Sequence, residues 1–188
     1  MRTASLVLRT PTHREAKIAM AGASDDEAQR WLGWEQKDVC PEPHRATLLS
    51  ASVNEGDRPE RSVDAAFWAL IAIDPGRLAI AGLVGFVHSP DGLYNHVGGH
   101  LAPQYRGRGL GRELFAAALV LGHQHLGIEV IRAGAESSNI ASRKSLEAAG
   151  FRPVHGAPAH SLPNGRVIAA CWYEHAARAS KCRRSPRP

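Results

Sequence analysis

The chain has 188 residues, of which 44% are hydrophobic, so it can form one domain around a single core. Its longest apolar run, residues 78–87, has ten residues and is too short to cross a membrane. The net charge of +5 would suit a nucleic-acid-binding protein, but residues 178–188 hold five basic residues and no acidic one, so the rest of the chain is electrically balanced. We therefore expect one domain over residues 1–175 and a disordered basic tail over 176–188, with neither nucleic acid nor a membrane as partner.

The three cysteines, Cys40, Cys171 and Cys182, share no spacing typical of a metal or redox site. The first residues lack the long apolar segment and the cleavage site of a secretion signal. We therefore expect reduced thiols, a cytoplasmic protein and no metal. Cys171 lies in the run VIAACWY, which predicts a buried strand.

The first part of the chain alternates between short strand and helix patterns. Residues 5–9 alternate like a strand, and residues 14–21 suit a short helix. A second helix is predicted near Asp25, with Ser24 as N-cap and Glu27 three residues later completing a capping box. The remainder is predicted as a loop at 40–43, a weak helix at 44–53 and a polar loop at 54–63.

From residue 67 onward the strand patterns become stronger. Residues 67–74 and 78–87 are apolar and flank the turn sequence DPGR, which predicts an antiparallel hairpin. A further turn is predicted at 89–92. The later elements are a strand at 94–101, a helix at 110–126, a strand at 129–135, a helix from Asn139, and strands at 151–154 and 166–173 around a loop at 155–165. This order predicts an α+β or mixed α/β fold around a central sheet.

A glycine-rich turn, QYRGRGLGR at residues 104–112, precedes the long apolar helix. Gly107, Gly109 and Gly111 remove side chains from one edge of this turn, and three arginines surround it with positive charge. Glycine lets the backbone approach a ligand closely, and the first turn of a helix offers unpaired N–H groups and the positive end of a dipole. The segment therefore predicts a binding site for a pyrophosphate.

The spacing of the glycines separates this turn from two common phosphate-binding loops. No Gly-Lys pair occurs in the chain, which excludes a P-loop. The pattern G-x-G-x-G past the middle of the chain does not match a dinucleotide-binding turn. What remains is [QR]-x-x-G-x-[GA] at residues 104–109, which resembles the acyl-CoA-binding motif of the GNAT superfamily of N-acyltransferases. Without a ligand, the same turn would be a basic helix N-terminus.

A second segment, ESSNIASRKSLEAAGF at residues 136–151, resembles the family signature Asn-x-x-Ser/Ala-x-x-x-Leu-x-x-x-Gly-Phe. Asn139 or Ser138 can cap its helix, and Gly150 is placed to end the helix in a left-handed conformation. In the family, the side chains matching Asn139 and Ser142 face the pantetheine arm of the cofactor. The closest resemblance is to the subgroup that acetylates N-terminal amines of ribosomal proteins.

The resemblance implies a GNAT-like fold with a mostly antiparallel sheet of six to seven strands and about four helices. It also implies that a primary amine attacks acetyl-CoA directly and takes over the acetyl group. The amine would belong to a protein N-terminus or to a small molecule. The protein would be a monomer or a homodimer. The alternative is a non-catalytic regulator that binds acyl-CoA. The cofactor-binding residues implied are Leu101, Gln104, Arg106, Gly107, Arg108, Gly109, Leu110, Gly111, Arg112, Asn139 and Ser142. The resemblance implies that the backbone N–H of Leu101 stabilises the negatively charged oxygen that forms when the amine attacks the thioester.

The group that removes the proton is less clear, because this chain departs from the family pattern. Alignment on Gly98 places His96 where the resembled subgroup carries a glutamate. Another subgroup has its base at the position of Gly134 and a tyrosine at that of Leu146, and both are absent. The ordinary pKa of histidine, about 6.5, suits His96 as a base. A polar residue that merely lines the cleft is the other interpretation of His96.

Other residues could also act as the base or line the acceptor pocket. His100, Glu136 or water could replace His96 as the base, and Ser142 is predicted to orient the leaving thiol. By family topology, the acceptor pocket is expected near Trp31, Trp34, His44 and the loop at 155–165.

Overall fold

The structure is a computed structural model, and it describes residues 1–34, 68–87 and 95–177. The predictions for residues 40–43, 44–53, 54–63 and 89–92, for His44 and for the basic end of the chain lie outside these ranges. Within them, no helix is long and apolar enough to span a membrane.

The described residues form eight strands and four α-helices. The strands are β1 (Val7–Arg9), β2 (Trp68–Asp74), β3 (Ala79–Val87), β4 (His96–Leu101), β5 (Val130–Glu136), β6 (Arg152–Val154), β7 (Ala159–Ser161) and β8 (Val167–Ala176). The helices are α1 (His13–Ala21), α2 (Asp26–Leu32), α3 (Leu110–Val120) and α4 (Ile140–Ala148). A 3-10 turn (Pro103–Tyr105) precedes α3, and a π-helical turn (Leu121–His125) follows it.

These elements confirm the predicted mixed α/β fold with a mostly antiparallel sheet. The strand order is β1-β2-β3-β4-β5-β8-β6, and β7 pairs with β8 beside this path. All pairs are antiparallel except β4 and β5. The sequence missed β7, which lies inside the predicted loop at 155–165, because its three exposed residues carry no apolar alternation.

The start of α2 corrects a second prediction. Asp25, not Ser24, is the N-cap, and its carboxylate accepts a hydrogen bond from the N–H of Ala28 at 3.1 Å. The hydroxyl of Ser24 instead donates to the carbonyl of Ala21 at 2.7 Å, at the end of α1. Both residue types cap helices well, so the sequence alone could not choose between neighbours.

The two faces of the sheet carry different helices. On the α3 face, buried side chains such as Leu114 and Ile131 pack into the larger core. On the α1 face, Ile18 packs against Ile71 and Leu83. His100 pairs with Leu83 and bonds to the carbonyl of Ala19 in α1, so it lies on the α1 face.

Strand alternation and cross-strand register extend this face to the residues of β4, β5 and β8. The set on the α1 face is His96, Gly98, His100, Arg132, Gly134, Glu136, Trp172 and Glu174. His96 and His100 therefore lie on the same face of β4.

Helices α3 and α4 approach each other closely at Gly111. A Cβ atom at Gly111 would lie 2.5 Å from the hydroxyl oxygen and 3.0 Å from the Cβ of Ser145. Glycine at this position therefore brings the first turn of α3 beside α4, in addition to its predicted place in the glycine turn.

We expect Gly111→Ala to lower the free energy of unfolding by roughly 1–3 kcal/mol, because the added methyl group overpacks this contact. Urea unfolding measures the loss. Ser145→Ala removes the nearer colliding atom, so the double variant should recover part of the stability. A double variant no more stable than Gly111→Ala would contradict the assigned contact.

Candidate active site

The sheet opens between β4 and β5. These parallel strands pair at a single register position, His96 with Arg132, although each continues for several residues. The N–H of Ala102 donates to the carbonyl of Ala81 in β3 at 2.9 Å. Because backbone groups alternate along a strand, Leu101 directs its N–H and C=O to the other side, toward β5. Leu101 therefore borders an opening beyond His96, which we call the β4–β5 gap.

Residues 107–111 form the glycine cradle, which lies between the 3-10 turn and the first turn of α3. Gly107 and Gly109 have left-handed backbones, with φ of 70° and 76°. Within the described residues, no backbone carbonyl accepts a hydrogen bond from the N–H groups of 107–111. A Cβ atom at Gly107 or Gly109 would meet no atom within 4 Å, so this backbone faces open space. Several free N–H groups at the positive end of a helix form an anion site of the kind that binds diphosphates.

Two predicted arginines lie at the surface beside the cradle. Arg108 is exposed, and its guanidinium lies 5.7 Å from the centre of the Tyr105 ring. Arg112 is exposed in the first turn of α3, and Gln104 is exposed before the turn. The two arginines add positive charge to the surface around the cradle.

Arg106 has a different environment from the predicted one. Its guanidinium forms two hydrogen bonds with the carboxylate of Asp25, at 2.7 and 2.8 Å, and one with Glu27 at 3.1 Å. Its Nε donates to the carbonyl of Leu101 at 3.0 Å, and its N–H donates to that of Pro103 at 3.2 Å. These contacts occupy four of the five guanidinium N–H groups, so Arg106 ties the edge of the β4–β5 gap to α2.

The second sequence signature lies across the gap, at the end of β5. Asn139 is the N-cap of α4, and its side-chain oxygen accepts from the N–H of Ser142 at 3.0 Å. Ser138, the other predicted cap, donates its hydroxyl to Glu136. The hydroxyl of Ser142 is half-buried and has no hydrogen-bond partner within the described part of the chain. Because Gly111 contacts Ser145, the first turns of α3 and α4 lie side by side.

His100 is engaged away from the gap. Its Nε2 lies 2.8 Å from the carbonyl of Ala19, which can only accept, so the ring proton lies on Nε2. Burial lowers the pKa of His100 to about 4, so it is neutral at pH 7. The ring also packs edge-on against Trp34, with centroids 5.8 Å apart. This arrangement favours a structural role for His100.

Glu136 is engaged as well. The hydroxyl of Ser138 donates to its carboxylate at 2.8 Å, and the guanidinium of Arg166 lies 3.0 Å from its second oxygen. The hydrogen bond from Ser138 and then the charge of Arg166 lower the pKa of Glu136. A carboxylate stabilised in this way is a weaker base than an ordinary glutamate.

His96 lies where the β4–β5 gap begins and lines a cavity of about 220 Å³ on the α1 face. We call this the His96 cavity. Its lining consists of His96, Arg132, Val154, His155, Gly156, Ala157, Trp172, Tyr173 and Glu174. The start of the predicted acceptor loop at 155–165 therefore does border His96.

Sequence reasoning missed five residues of this lining, namely Arg132, Val154, Trp172, Tyr173 and Glu174. Trp172 belongs to the run VIAACWY, which is almost entirely apolar. Such a run does not show which of its residues face which side of the sheet. The available signal was Gly134, since a glycine inside a strand often accommodates a large side chain from its neighbour. Gly134 pairs with Trp172 in the structure.

Comparison with known proteins agrees with this architecture. The model of the acetyltransferase (GNAT) domain matches residues 5–152, so the chain belongs to the GNAT acetyltransferase family. No curated protein matches the chain.

Solved structures show the same fold at low sequence identity. Spermidine N-acetyltransferase from Vibrio cholerae, in complex with CoA and spermine, has a TM-score of 0.67 and 16% identity, covering 93% of this chain and 96% of that one. Ribosomal-protein-S5-alanine acetyltransferase from Vibrio fischeri has a TM-score of 0.63 and 16% identity, with coverages of 94% and 95%. Aminoglycoside acetyltransferase AAC(6')-Ib, in complex with coenzyme A, has a TM-score of 0.60 and 19% identity, with coverages of 92% and 95%.

The ion pair of Arg106 gives a pH-dependent prediction. The pKa of Asp25 is lowered from 3.8 to about 2, chiefly by the hydrogen bonds from Arg106. The ion pair therefore stabilises the fold above pH 4, and this stabilisation is lost as the pH falls toward 2. Asp25→Asn keeps a good N-cap but removes the charge. We expect it to lower the free energy of unfolding at pH 7 by roughly 2 kcal/mol, and by less at pH 3.

Urea unfolding at the two pH values measures this difference. Glu27→Gln is the control, because the side chain of Glu27 is 62% exposed and its pair with Arg106 should contribute little. Equal losses for Asp25→Asn at pH 7 and pH 3 would show that the ion pair is not their cause.

Proposed function

We propose that the protein is an N-acetyltransferase that moves an acetyl group from acetyl-CoA to a primary amine. The amine belongs either to a protein N-terminus or to a small molecule. The observation that carries this proposal is the glycine cradle, with its free N–H groups beside the β4–β5 gap. Membership of the GNAT acetyltransferase family supports the same reaction.

The residues present fit a coenzyme A molecule. The N–H groups of residues 107–111 would hold the pyrophosphate, with Arg108 and Arg112 beside it. The pantetheine arm would enter the gap between Leu101 and the Asn139 end of α4. Acetyl-CoA supplies a thioester, so that a C–N bond to the amine forms while the C–S bond breaks and the thiol leaves.

Three residues are assigned to the chemistry. The N–H of Leu101, which points toward the gap, would donate to the acetyl carbonyl oxygen, and such a donor is often worth about 3 kcal/mol. The hydroxyl of Ser142 would donate to the leaving sulfur. His96 would accept the proton that the amine must lose, since it lines the cavity where the gap begins.

Two of the structural neighbours support an amine as acceptor. One is described as a spermidine N-acetyltransferase and the other as an aminoglycoside acetyltransferase, and both were solved with CoA. Their identities of 16% and 19% do not extend the choice of amine to this chain.

The cradle predicts that coenzyme A binds and that Gly109→Ala weakens this binding at least tenfold. The new methyl group would occupy the open space in front of the N–H groups. Gly127→Ala is the control, because Gly127 has a similar φ of 68° and open surroundings beyond the far end of α3. Each substitution should cost roughly 1–2 kcal/mol of stability through its left-handed backbone.

Titration calorimetry with coenzyme A separates the two effects. We expect tight binding by the wild type and by Gly127→Ala. A wild type without affinity for coenzyme A, or a Gly109→Ala variant that binds like the wild type, would overturn the assignment of the cradle.

The proposed base predicts that His96→Ala lowers kcat by about 10²–10⁴-fold with little change in coenzyme A affinity. Thiol release from acetyl-CoA, measured with a panel of primary amines, reports the turnover. His125→Ala, an exposed histidine after α3, is the control and should retain full activity. Unchanged turnover in His96→Ala would remove His96 from the mechanism, whereas a wild type that binds coenzyme A but acetylates no amine would favour a non-catalytic regulator.

A further inference from the structure

Trp172 is fixed in place at the His96 cavity by residues on two sides. Its Nε1 donates to the carbonyl of Ala157 at 2.7 Å. A Cβ atom at Gly134 would lie 2.9 Å from Cζ3 of the indole, and one at Gly156 would lie 2.3 Å from Cδ1. The ring therefore fills the space that these two glycines leave, and a larger residue at either position would displace it.

The indole and the proposed base are direct neighbours. The ring centroids of His96 and Trp172 lie 5.8 Å apart, with an angle of 77° between the rings. Such an edge-to-face contact is favourable for aromatic rings. An amine that reaches His96 through this cavity must therefore pass beside the indole.

The charges of the lining are balanced beside His96, whose cross-strand partner is Arg132. Arg132 and Glu174 form an ion pair, with Nε and Oε1 2.8 Å apart. Within the described lining, Glu174 is the only carboxylate, and Arg132 already neutralises it. These residues thus offer no spare negative charge to a second ammonium group.

The size of the cavity also limits the acceptor. The cavity has a volume of about 220 Å³. This space suits one compact group beside the amine rather than an extended oligoamine. Its apolar surface comes from Val154, Ala157 and the indole of Trp172.

We infer that Trp172 is a specificity-determining residue and that the His96 cavity takes primary amines carrying a flat, apolar group, such as an aryl-alkyl amine. This inference rests on the proposed acetyltransferase function. Burial of the flat group against the indole would favour such an amine over an aliphatic amine of similar reach. Among the described lining residues no spare carboxylate is available to a polyamine. A hydrophobic pocket of this kind discriminates by about 10–200-fold.

The test compares phenethylamine, n-butylamine and spermidine as acceptors, with kcat/KM measured by thiol release from acetyl-CoA. We expect the wild type to prefer phenethylamine by at least about tenfold over each of the other two. Trp172→Leu should lose at least about tenfold for phenethylamine and under about threefold for n-butylamine, with coenzyme A affinity unchanged. Val167→Ala, an exposed position on the same strand, is the control and should keep the wild-type preference.

Trp172→Phe keeps a flat ring and serves as the second variant if the leucine variant does not fold. It should retain part of the preference. Turnover without a preference for phenethylamine in the wild type, or with the preference intact in Trp172→Leu, would overturn the inference while the proposed function stands. Absence of turnover with every amine would overturn both.

Discussion

The single pairing of His96 with Arg132 joins the two halves of the sheet, and the candidate site is arranged around the opening beyond it. Backbone groups at a sheet edge need hydrogen-bond partners, and an opening inside a sheet leaves some of them without a strand. The carbonyl of Leu101 finds the guanidinium of Arg106, while its N–H remains directed toward the gap. A ligand with its own hydrogen-bonding groups, such as a pantetheine arm, would complete what the sheet leaves open.

Arg106 explains how such an opening keeps a defined shape. It contacts the end of β4 through Leu101 and the start of α2 through Asp25, and it directly precedes the glycine cradle. Asp25 in turn caps α2, so one carboxylate serves both the helix and the arginine. One charged cluster thereby connects α2 with the end of β4. Arg106 makes this connection with four of its five guanidinium N–H groups.

The sequence predicted the features that depend on neighbouring residues and failed on those that depend on packing. The glycine turn and the Asn139 cap are local, and their residue types alone define the backbone they form. The carboxylate partners of Arg106 lie about 80 positions away, so no spacing rule could identify them. Strand β7 was missed because its pairing with β8, rather than its own pattern, holds it. The cytoplasmic location, the basic tail and the oligomeric state stay predictions.

Gly134 and Trp172 offer a physical reason for the departure from the family pattern of acid and base. Even a Cβ atom at position 134 would approach the indole to 2.9 Å, so a carboxylate side chain there and this tryptophan exclude each other. A chain with Trp172 in this place cannot carry its base on β5 at that position. The base that we propose lies on the neighbouring strand β4, where His96 both touches the indole and borders the gap. An imidazole suits the task, because the ordinary pKa of histidine, about 6.5, lies near neutral pH.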